Sequence, residues 1–355
     1  LVGSSELTHP FSMNATNGFC GSIGNTPLIR LNSLSDATGC EILGKAEFLN
    51  PGGSVKDRAA LGMVEDAERR GLLKPGGTIV EGTAGNTGIG LTLVGNAKGY
   101  RTIIVIPDSQ SPEKLDLLRA IGAEVRPVPP APYKEPGNYN KIAAQIASEL
   151  DNAFWANQFD NTANAQFHYE TTGPEIWKQT EGKITAFVAA VGTGGTLAGI
   201  SRFLKDQSES VSTYCVDPYG AAMWSWFKYG HLDFDNGDSI AEGIGQGRVT
   251  ENVDSAQIDD AFRVSDRHMM ATLNILLKQE GLLLGPSSGV NVCGALKIAL
   301  AGGPGQVIAT ILCDGAQRYW SRIFNDEWLL ENELEPENIS LEELLAQLKG
   351  EKNEP

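Results

Sequence analysis

Short runs of apolar, often β-branched residues alternate with longer amphipathic runs through most of the chain. The strand-like runs lie at 78–82, 101–107, 186–192, 212–218 and 306–314. Helix-like runs of roughly 10–15 residues separate them, as in parallel sheets with crossover helices. The pattern, which holds from about residue 40 to 315, predicts an α/β protein with open, twisted, mostly parallel sheets.

Four polar, glycine-rich segments stand out, and each is predicted to join a strand to a helix. They are NPGGSVKDRAA (50–60), EGTAGNTG (81–88), GTGGT (192–196) and GPSSG (285–289), the last after a Leu-Leu-Leu run. Loops of this kind sit at the carboxyl edge of a parallel sheet, where open α/β folds bind their ligands. We therefore expect the four segments to converge on one sheet edge and form one site.

Lys56 stands in the first turn of a predicted helix, next to the positive end of the helix dipole. Ser54 is a good N-cap there, and Asp57 completes a possible capping box. An exposed lysine at this place destabilises the helix by only tenths of a kcal/mol, so one interpretation is that Lys56 is an ordinary surface residue. The other is that Lys56 functions in a form other than a solvated ammonium ion.

The segment GTGGT has the properties of a phosphate-binding loop. Its small residues allow a close backbone approach, and successive N–H groups at a helix start bind anions. It lacks the Gly-Lys-Ser/Thr ending of a Walker A loop, and Leu197 replaces the third glycine of a dinucleotide fingerprint. A tight turn without a ligand is the alternative.

The other segments add complementary groups. TAGNT (83–87) offers hydroxyl, amide and backbone donors for a small carboxylate, and GPSSG offers hydroxyls at another helix start. Each could also be an ordinary helix cap. A phosphate site, a carboxylate site, a hydroxyl pair and a lysine together match the needs of pyridoxal 5'-phosphate, which requires a lysine for its Schiff base.

The amino-acid composition argues against several classes of binding partner. Asp and Glu number 44 against 28 Lys and Arg, a formal charge of -16, which argues against nucleic acid or an anionic membrane. Five scattered cysteines and four histidines without ligand spacing indicate no disulfide framework and no metal site. The first residues lack the pattern of a signal peptide, and no apolar run approaches a membrane span. We expect a cytoplasmic protein.

Several ordered motifs resemble those of one enzyme family. GNTPLIRL (24–31), NPGGSVKDR (50–58), GNTGIGL (85–91), NQF (157–159), TTGPEIW (171–177), GTGGT and GPSSG resemble the cysteine synthase and cystathionine β-synthase branch of the fold type II pyridoxal phosphate enzymes. The resemblance implies the tryptophan synthase β-like fold, with the cofactor between two domains. The larger domain would comprise 13–44 and 164–330, the smaller, mobile domain 45–163, and a C-terminal tail 331–355.

The resemblance also assigns roles to individual residues. Lys56 matches the Schiff-base lysine, Asn86 the residue that bonds the cofactor's 3' oxygen, and Ser287 the residue that faces the pyridine nitrogen. The phosphate loop would be Gly192, Thr193, Gly194, Gly195 and Thr196. The substrate-binding residues would be Thr83, Ala84, Gly85, Thr87 and Gln158. Neither a metal nor haem is implied.

The implied reaction is β-replacement, in which sulfide replaces the leaving group of an activated serine such as O-acetylserine to give L-cysteine. Lys56 would remove the Cα proton as general base. L-cysteine desulfhydration and cystathionine β-synthase-type condensation remain alternatives, because Ala84 replaces a serine and the 242–253 loop departs from the family pattern. A non-catalytic binding relative and a nicotinamide enzyme are further alternatives. A homodimer is expected, with the segment 163–177 around His168 as one candidate contact.

Overall fold

The computed structural model describes residues 15–83, 85–110, 112–234, 237–334 and 339–350. The strands are β1 (Leu28–Arg30), β2 (Glu41–Ala46), β3 (Thr78–Gly82), β4 (Arg101–Pro107), β5 (Glu124–Val128), β6 (Ala153–Trp155), β7 (Ala186–Ala189), β8 (Ser212–Pro218), β9 (Asp260–Val264) and β10 (Val307–Leu312). The helices are α1 (Gly18–Gly21), α2 (Asn32–Thr38), α3 (Lys56–Arg69), α4 (Asn86–Lys98), α5 (Pro112–Ala120), α6 (Tyr139–Glu149), α7 (Ala163–Glu170), α8 (Thr172–Gln179), α9 (Gly195–Gln207), α10 (Met223–Tyr229), α11 (Glu251–Asp254), α12 (Asp266–Glu280), α13 (Pro286–Gly302), α14 (Asp326–Glu331) and α15 (Leu341–Gly350). Short 3₁₀ turns lie at Glu47–Leu49 and Ala316–Arg318.

Two open sheets organise the chain. The six-stranded sheet has the order β1-β2-β10-β7-β8-β9, and all its pairings except β1 with β2 are parallel. The four-stranded sheet has the order β5-β4-β3-β6 and is parallel throughout. The prediction of an α/β protein with open, mostly parallel sheets is confirmed.

The apolar pattern located the longer strands well. β3, β4 and β8 coincide with the runs predicted at 78–82, 101–107 and 212–218. The Leu-Leu-Leu run before GPSSG was predicted as a strand, and this prediction is wrong. Leu284 makes one isolated bridge with Gly315, because the preceding residues close helix α12 and leave no length for a ladder.

Helix α13 is the central element of the larger core. Its residues from Pro286 to Leu296 are all buried, and its apolar side chains pack under the six-stranded sheet. Burial on all sides explains why the helix is apolar all round rather than amphipathic. The Gly294 position has no room for a side chain, since an added Cβ would lie 2.9 Å from Val216.

Two details bear on the predicted domain limits. Strand β2 crosses the predicted limit between residues 44 and 45, and all of it pairs within the six-stranded sheet. In the segment predicted as a tail, helix α15 buries Leu341, Leu344 and Leu348 against the larger core. Those three leucines recur at helical spacing, so this helix is part of the packed structure.

A buried ion network connects the start of α3 to the larger sheet. Arg58 is fully buried and donates to both carboxylate oxygens of Glu47, at 2.7 and 2.8 Å, and to both of Glu175, at 2.8 and 2.7 Å. Lys45 Nζ lies 2.6 Å from Glu175. Burial by itself raises the pKa of Glu175, but the hydrogen bonds and charges of Arg58 and Lys45 outweigh it and lower the pKa to about 2.

Within the described ranges, no helix is long and apolar enough to span a membrane. The same part of the chain holds no cluster of three His, Cys, Asp or Glu side chains placed to bind a metal ion.

Candidate active site

A cavity of about 760 Å³ opens between the two sheets. Its walls come from the carboxyl ends of strands in both sheets and from the starts of α3, α4, α9 and α13. The predicted site residues that line it are Lys56, Thr83, Gly85, Asn86, Thr87, Gln158, Gly192, Thr193, Gly194, Thr196 and Ser287. The expectation of a single sheet edge is wrong, since two sheets face each other across the cavity. Ala84 lies outside the described residues.

Lys56 is the first residue of helix α3, and its side chain reaches the cavity. Burial lowers the pKa of its ammonium group, and the nearby Cys313 and Asp314 oppose this only in part. Among the described residues, no acceptor bonds its Nζ atom. An amine that is desolvated and unpaired is available as a nucleophile and as a base.

The predicted capping box at this helix start does not form. Val55 occupies the N-cap position. The hydroxyl of Ser54 accepts from the Lys56 N–H at 3.2 Å, whereas the carboxylate of Asp57 accepts from the Gly52 N–H at 2.6 Å. Asp57 thus closes the preceding glycine-rich turn and fixes the position of Lys56 from the other side.

The GTGGT segment forms the start of helix α9 and faces the cavity. Gly194 is the N-cap, with a left-handed φ of 91° that favours glycine. In the described part of the chain, the N–H groups of Thr193, Gly194 and Thr196 have no acceptor. Unpaired N–H groups at the positive end of a 13-residue helix form an anion-binding site.

At two of the glycines, neighbouring residues leave no room for a side chain. A Cβ on Gly192 would lie 2.2 Å from the Gly243 carbonyl oxygen, and one on Gly195 would lie 2.2 Å from Asn164 Oδ1. Gly195 does not line the cavity. Its small size therefore serves packing rather than the approach of an anion.

The 242–253 loop holds this anion site in place. Gln246 Nε2 donates to the Gly192 carbonyl at 3.1 Å, and Thr250 Oγ1 donates to the Thr193 carbonyl at 2.7 Å. The sequence marked this loop as unusual without indicating its function. Its position beside the anion site gives the loop a structural role that depends on contacts distant in sequence.

His168, on helix α7, supports the anion site from behind. Its Nε2 atom lies 3.2 Å from Thr196 Oγ1, and its Nδ1 atom lies 2.8 Å from Thr172 Oγ1. Burial holds the pKa of His168 well below its usual value, so the ring is neutral. The ring of His168 is completely buried, so this side chain itself is not part of the surface of the segment 163–177, the candidate dimer contact.

Asn86 connects the two sheets across the cavity. It is the first residue of helix α4, its amide donates to Asp314 Oδ2 at 2.7 Å, and its Oδ1 accepts from Arg318. Tyr319 donates to the same Asp314 oxygen at 2.7 Å. Burial raises the pKa of Asp314, and its buried Oδ1 atom has no hydrogen-bond partner among the described residues.

Ser287 lies in the first turn of helix α13 and lines the cavity near the thiol of Cys313. Burial raises the pKa of Cys313 to about 11, and the charge of Lys56 opposes the shift. Ser287 therefore offers a neutral hydroxyl next to a neutral thiol. A group that faces Ser287 meets no permanent charge from either side chain.

The predicted carboxylate site is bounded by Thr83, Thr87 and Gln158. Thr87 Oγ1 donates to Gln158 Oε1 at 2.5 Å, which joins helix α4 to the loop after β6. Thr83 Oγ1 accepts from the Gly85 N–H at 3.2 Å. The structure brings these three side chains to one wall of the cavity.

Sequence reasoning missed Asp314, Arg318 and Tyr319, which all line the cavity. A signal was present, because the segment CDGAQRY follows directly after strand β10. It is a polar loop at the carboxyl end of a parallel strand, like the loops that were recognised. It lacks a glycine-rich motif and was read only as the end of the strand series.

The cavity can hold a phosphorylated carbonyl compound. Unpaired N–H groups at α9 fit its phosphate, and the desolvated amine of Lys56 fits its carbonyl carbon. The amide of Asn86 and the hydroxyl of Ser287 face the space between them. These residues fit pyridoxal phosphate, the cofactor expected from the sequence.

Comparison with known proteins gives a consistent result. Residues 20–314 match the profile of a family described as pyridoxal-phosphate dependent enzyme. The chain is 55% identical to cysteine synthase 1 of Neurospora crassa over 321 residues, 89% of this chain and 85% of the relative. It is 45% identical to a cysteine synthase of Dictyostelium discoideum over 340 residues, 93% and 90% of the two chains. It is 41% identical to the cystathionine beta-synthase of Rattus norvegicus over 322 residues, 90% of this chain and 57% of the relative.

Proposed function

Because this chain belongs to the family of pyridoxal-phosphate dependent enzymes, we propose that it makes L-cysteine by β-replacement of an activated serine, O-acetylserine, by sulfide. The observation that carries the proposal is the desolvated Lys56 amine, which faces the anion site at α9 across one cavity. The fold is that of the fold type II members. The names of the relatives support the reaction.

Different residues of the cavity would bind different parts of the cofactor. When bound, pyridoxal phosphate supplies a carbonyl carbon for amines and an electron-withdrawing ring that acidifies the substrate's Cα–H. The loop of Gly192, Thr193, Gly194, Gly195 and Thr196 would hold its phosphate, with Gly195 packed against Asn164 rather than facing the cavity. Asn86 would donate from its amide to the ring's hydroxyl oxygen, and Ser287 would offer its hydroxyl to the ring nitrogen.

Lys56 moves the proton. With the cofactor bound, its Nζ atom would be the attachment point, and burial, which lowers the pKa of this amine, favours its neutral form once it is free. A neutral amine next to the substrate accepts the Cα proton as general base. The same nitrogen then carries that proton while the leaving group departs from Cβ.

Thr83, Thr87 and Gln158 orient the substrate by its α-carboxylate, with Gly85 and Ala84 on the same loop. The Thr87–Gln158 hydrogen bond fixes these two side chains relative to each other. A fixed carboxylate would restrict the position of Cα within the cavity that Lys56 also lines, which contributes by proximity.

Product analysis distinguishes replacement from elimination. Purified enzyme is supplied with O-acetylserine plus sulfide and, separately, with L-cysteine alone, and then cysteine, sulfide and pyruvate are measured. We expect cysteine as the main product of the first mixture and little pyruvate from the second. Rapid pyruvate from cysteine, with negligible cysteine from O-acetylserine, would assign the chain to desulfhydration.

We further propose that the active form is a cytoplasmic homodimer. Closed two-fold association is the commonest symmetry among soluble enzymes. Sedimentation at working concentration should give twice the mass of the chain, 37.9 kDa. A stable monomer would refute the proposal.

A further inference from the structure

Glu81 is a buried carboxyl group at the edge of the candidate active site. It lies in strand β3, the inner strand between β4 and β6, and none of its surface is exposed. The mechanism above does not use it. A buried carboxyl group without a cationic partner is costly, so its presence beside a ligand site needs an explanation.

The contacts of Glu81 lead to the predicted carboxylate site. Its Oε2 accepts from the Asn157 N–H at 2.8 Å, and its Oε1 faces the Gln158 N–H at 3.4 Å. Gln158 then accepts from Thr87 Oγ1 at 2.5 Å. Asn157 has a left-handed φ of 49°, so these bonds hold a strained turn in the position that aims Gln158 at Thr87.

Charge at Glu81 would oppose the binding of an anion. Gln158 lies between Glu81 and the space assigned to the substrate carboxylate, and an ionised Glu81 would repel that carboxylate through a poorly solvated interior. Burial raises the pKa of Glu81 to about 8, against the effect of its hydrogen bonds to Gln158 and Asn157. The group is thus largely neutral at pH 7 and becomes negative above pH 8.

Tyr139 is a titratable group whose pKa responds to the charge of Glu81. Tyr139, at the start of α6, lines the cavity, and burial and the charge of Glu81 both raise the pKa of its phenol. Tyr139 is therefore neutral where Glu81 titrates. No cation among the residues that influence Glu81 would cancel its charge.

We propose that Glu81 is a positioning residue that fixes the turn carrying Gln158 and must be protonated for the adjoining site to bind a carboxylate at full strength. The inference rests on the proposed function, in which Thr83, Thr87 and Gln158 bind the substrate's α-carboxylate. It adds a built-in upper pH limit to substrate binding. The sign follows from the raised pKa, because affinity is present below it and is lost as the pH rises through it.

The test uses propionate, a small carboxylate that has no amino group to titrate between pH 6.5 and 9.5. Its inhibition constant against O-acetylserine is measured on the holoenzyme across that range. For the wild type we expect a constant value up to about pH 8 and then a rise approaching tenfold per pH unit. Glu81→Gln cannot ionise, so its profile should stay flat over the same range.

Three further variants make the result specific. Asp116→Asn removes the same charge from an exposed site on α5 and should keep the wild-type profile. Glu81→Asp retains a carboxyl group and should keep the rise with a shifted midpoint, which also covers the case in which Glu81→Gln does not fold. Gln158→Ala should weaken propionate binding at every pH.

Three results would overturn the proposal. A flat wild-type profile, or an equal rise in wild type and Glu81→Gln, would leave Glu81 with no influence on anion binding. An equal rise in wild type and Glu81→Gln, together with weak propionate binding by Gln158→Ala, would exclude the role of Glu81 but leave the carboxylate site assigned. Normal propionate binding by Gln158→Ala would instead remove the assigned carboxylate site, and the proposal with it.

Discussion

Replacing Lys56 with alanine is expected to abolish cysteine formation and the covalent attachment of the cofactor together. The desolvated Nζ atom serves both as the attachment point and as the base. Loss of a general base alone costs roughly 10²–10⁴-fold in rate, and loss of the attachment adds to it. Turnover is measured with O-acetylserine and sulfide, and attachment by borohydride reduction followed by peptide mass analysis.

An exposed lysine provides the control for this variant. Lys183→Ala removes a side chain that is 70% exposed and distant from the cavity, and it should leave both measurements at wild-type levels. Borohydride should label the wild type at Lys56. If Lys56→Ala kept normal turnover, the assignment of Lys56 and of its cofactor chemistry would be wrong.

Replacing Arg58 with methionine is expected to give the largest loss of stability. The substitution leaves the buried Glu47 without its cation, and leaves the partly buried Glu175 with Lys45 alone. Breaking a buried ion pair by removing one partner typically costs about 3–5 kcal/mol, because an uncompensated charge remains. The free energy of unfolding is measured by urea denaturation of wild type and variant at pH 7.

The pH dependence of this loss follows from Glu175. Its pKa of about 2 lies below the usual value of 4.5, so the contribution of the network is complete above pH 4.5 and declines toward pH 2. The gap between wild type and Arg58→Met should therefore narrow in acid.

Arg30→Met provides the control for this network. It removes a partly exposed pair with Asp36 and Glu41 and should cost no more than about 1 kcal/mol. An equal effect of the two substitutions would show that burial of the Arg58 network contributes nothing.

The sequence predicted the longer strands and the chemistry of the local motifs, because both depend on neighbouring residues. Segments of five to seven residues, rich in apolar and β-branched side chains, identified β3, β4 and β8. Strand β6 has only three residues, too few for a periodic signal. The contact between Thr87 and Gln158 depends on the pairing of β6 with β3, so its geometry could not be predicted.

The supporting residues of the site were harder to predict than its motifs. His168, Asp314 and Arg318 act through contacts with residues that are 28 to 232 positions away in sequence. Glu81 lies within a recognised motif, but its carboxyl group reads as a polar residue near a strand end. Its burial follows only from the position of β3 between two other strands.

In the proposed reaction, one site built around Lys56 and the anion loop at α9 expels the leaving group before sulfide adds. Rapid mixing of the holoenzyme with O-acetylserine alone, followed by chemical quenching, measures acetate released per active site. We expect about one acetate per site in the first turnover, no cysteine until sulfide is added, and no release by Lys56→Ala. Acetate release that occurs only when sulfide is present would rule out this order of steps.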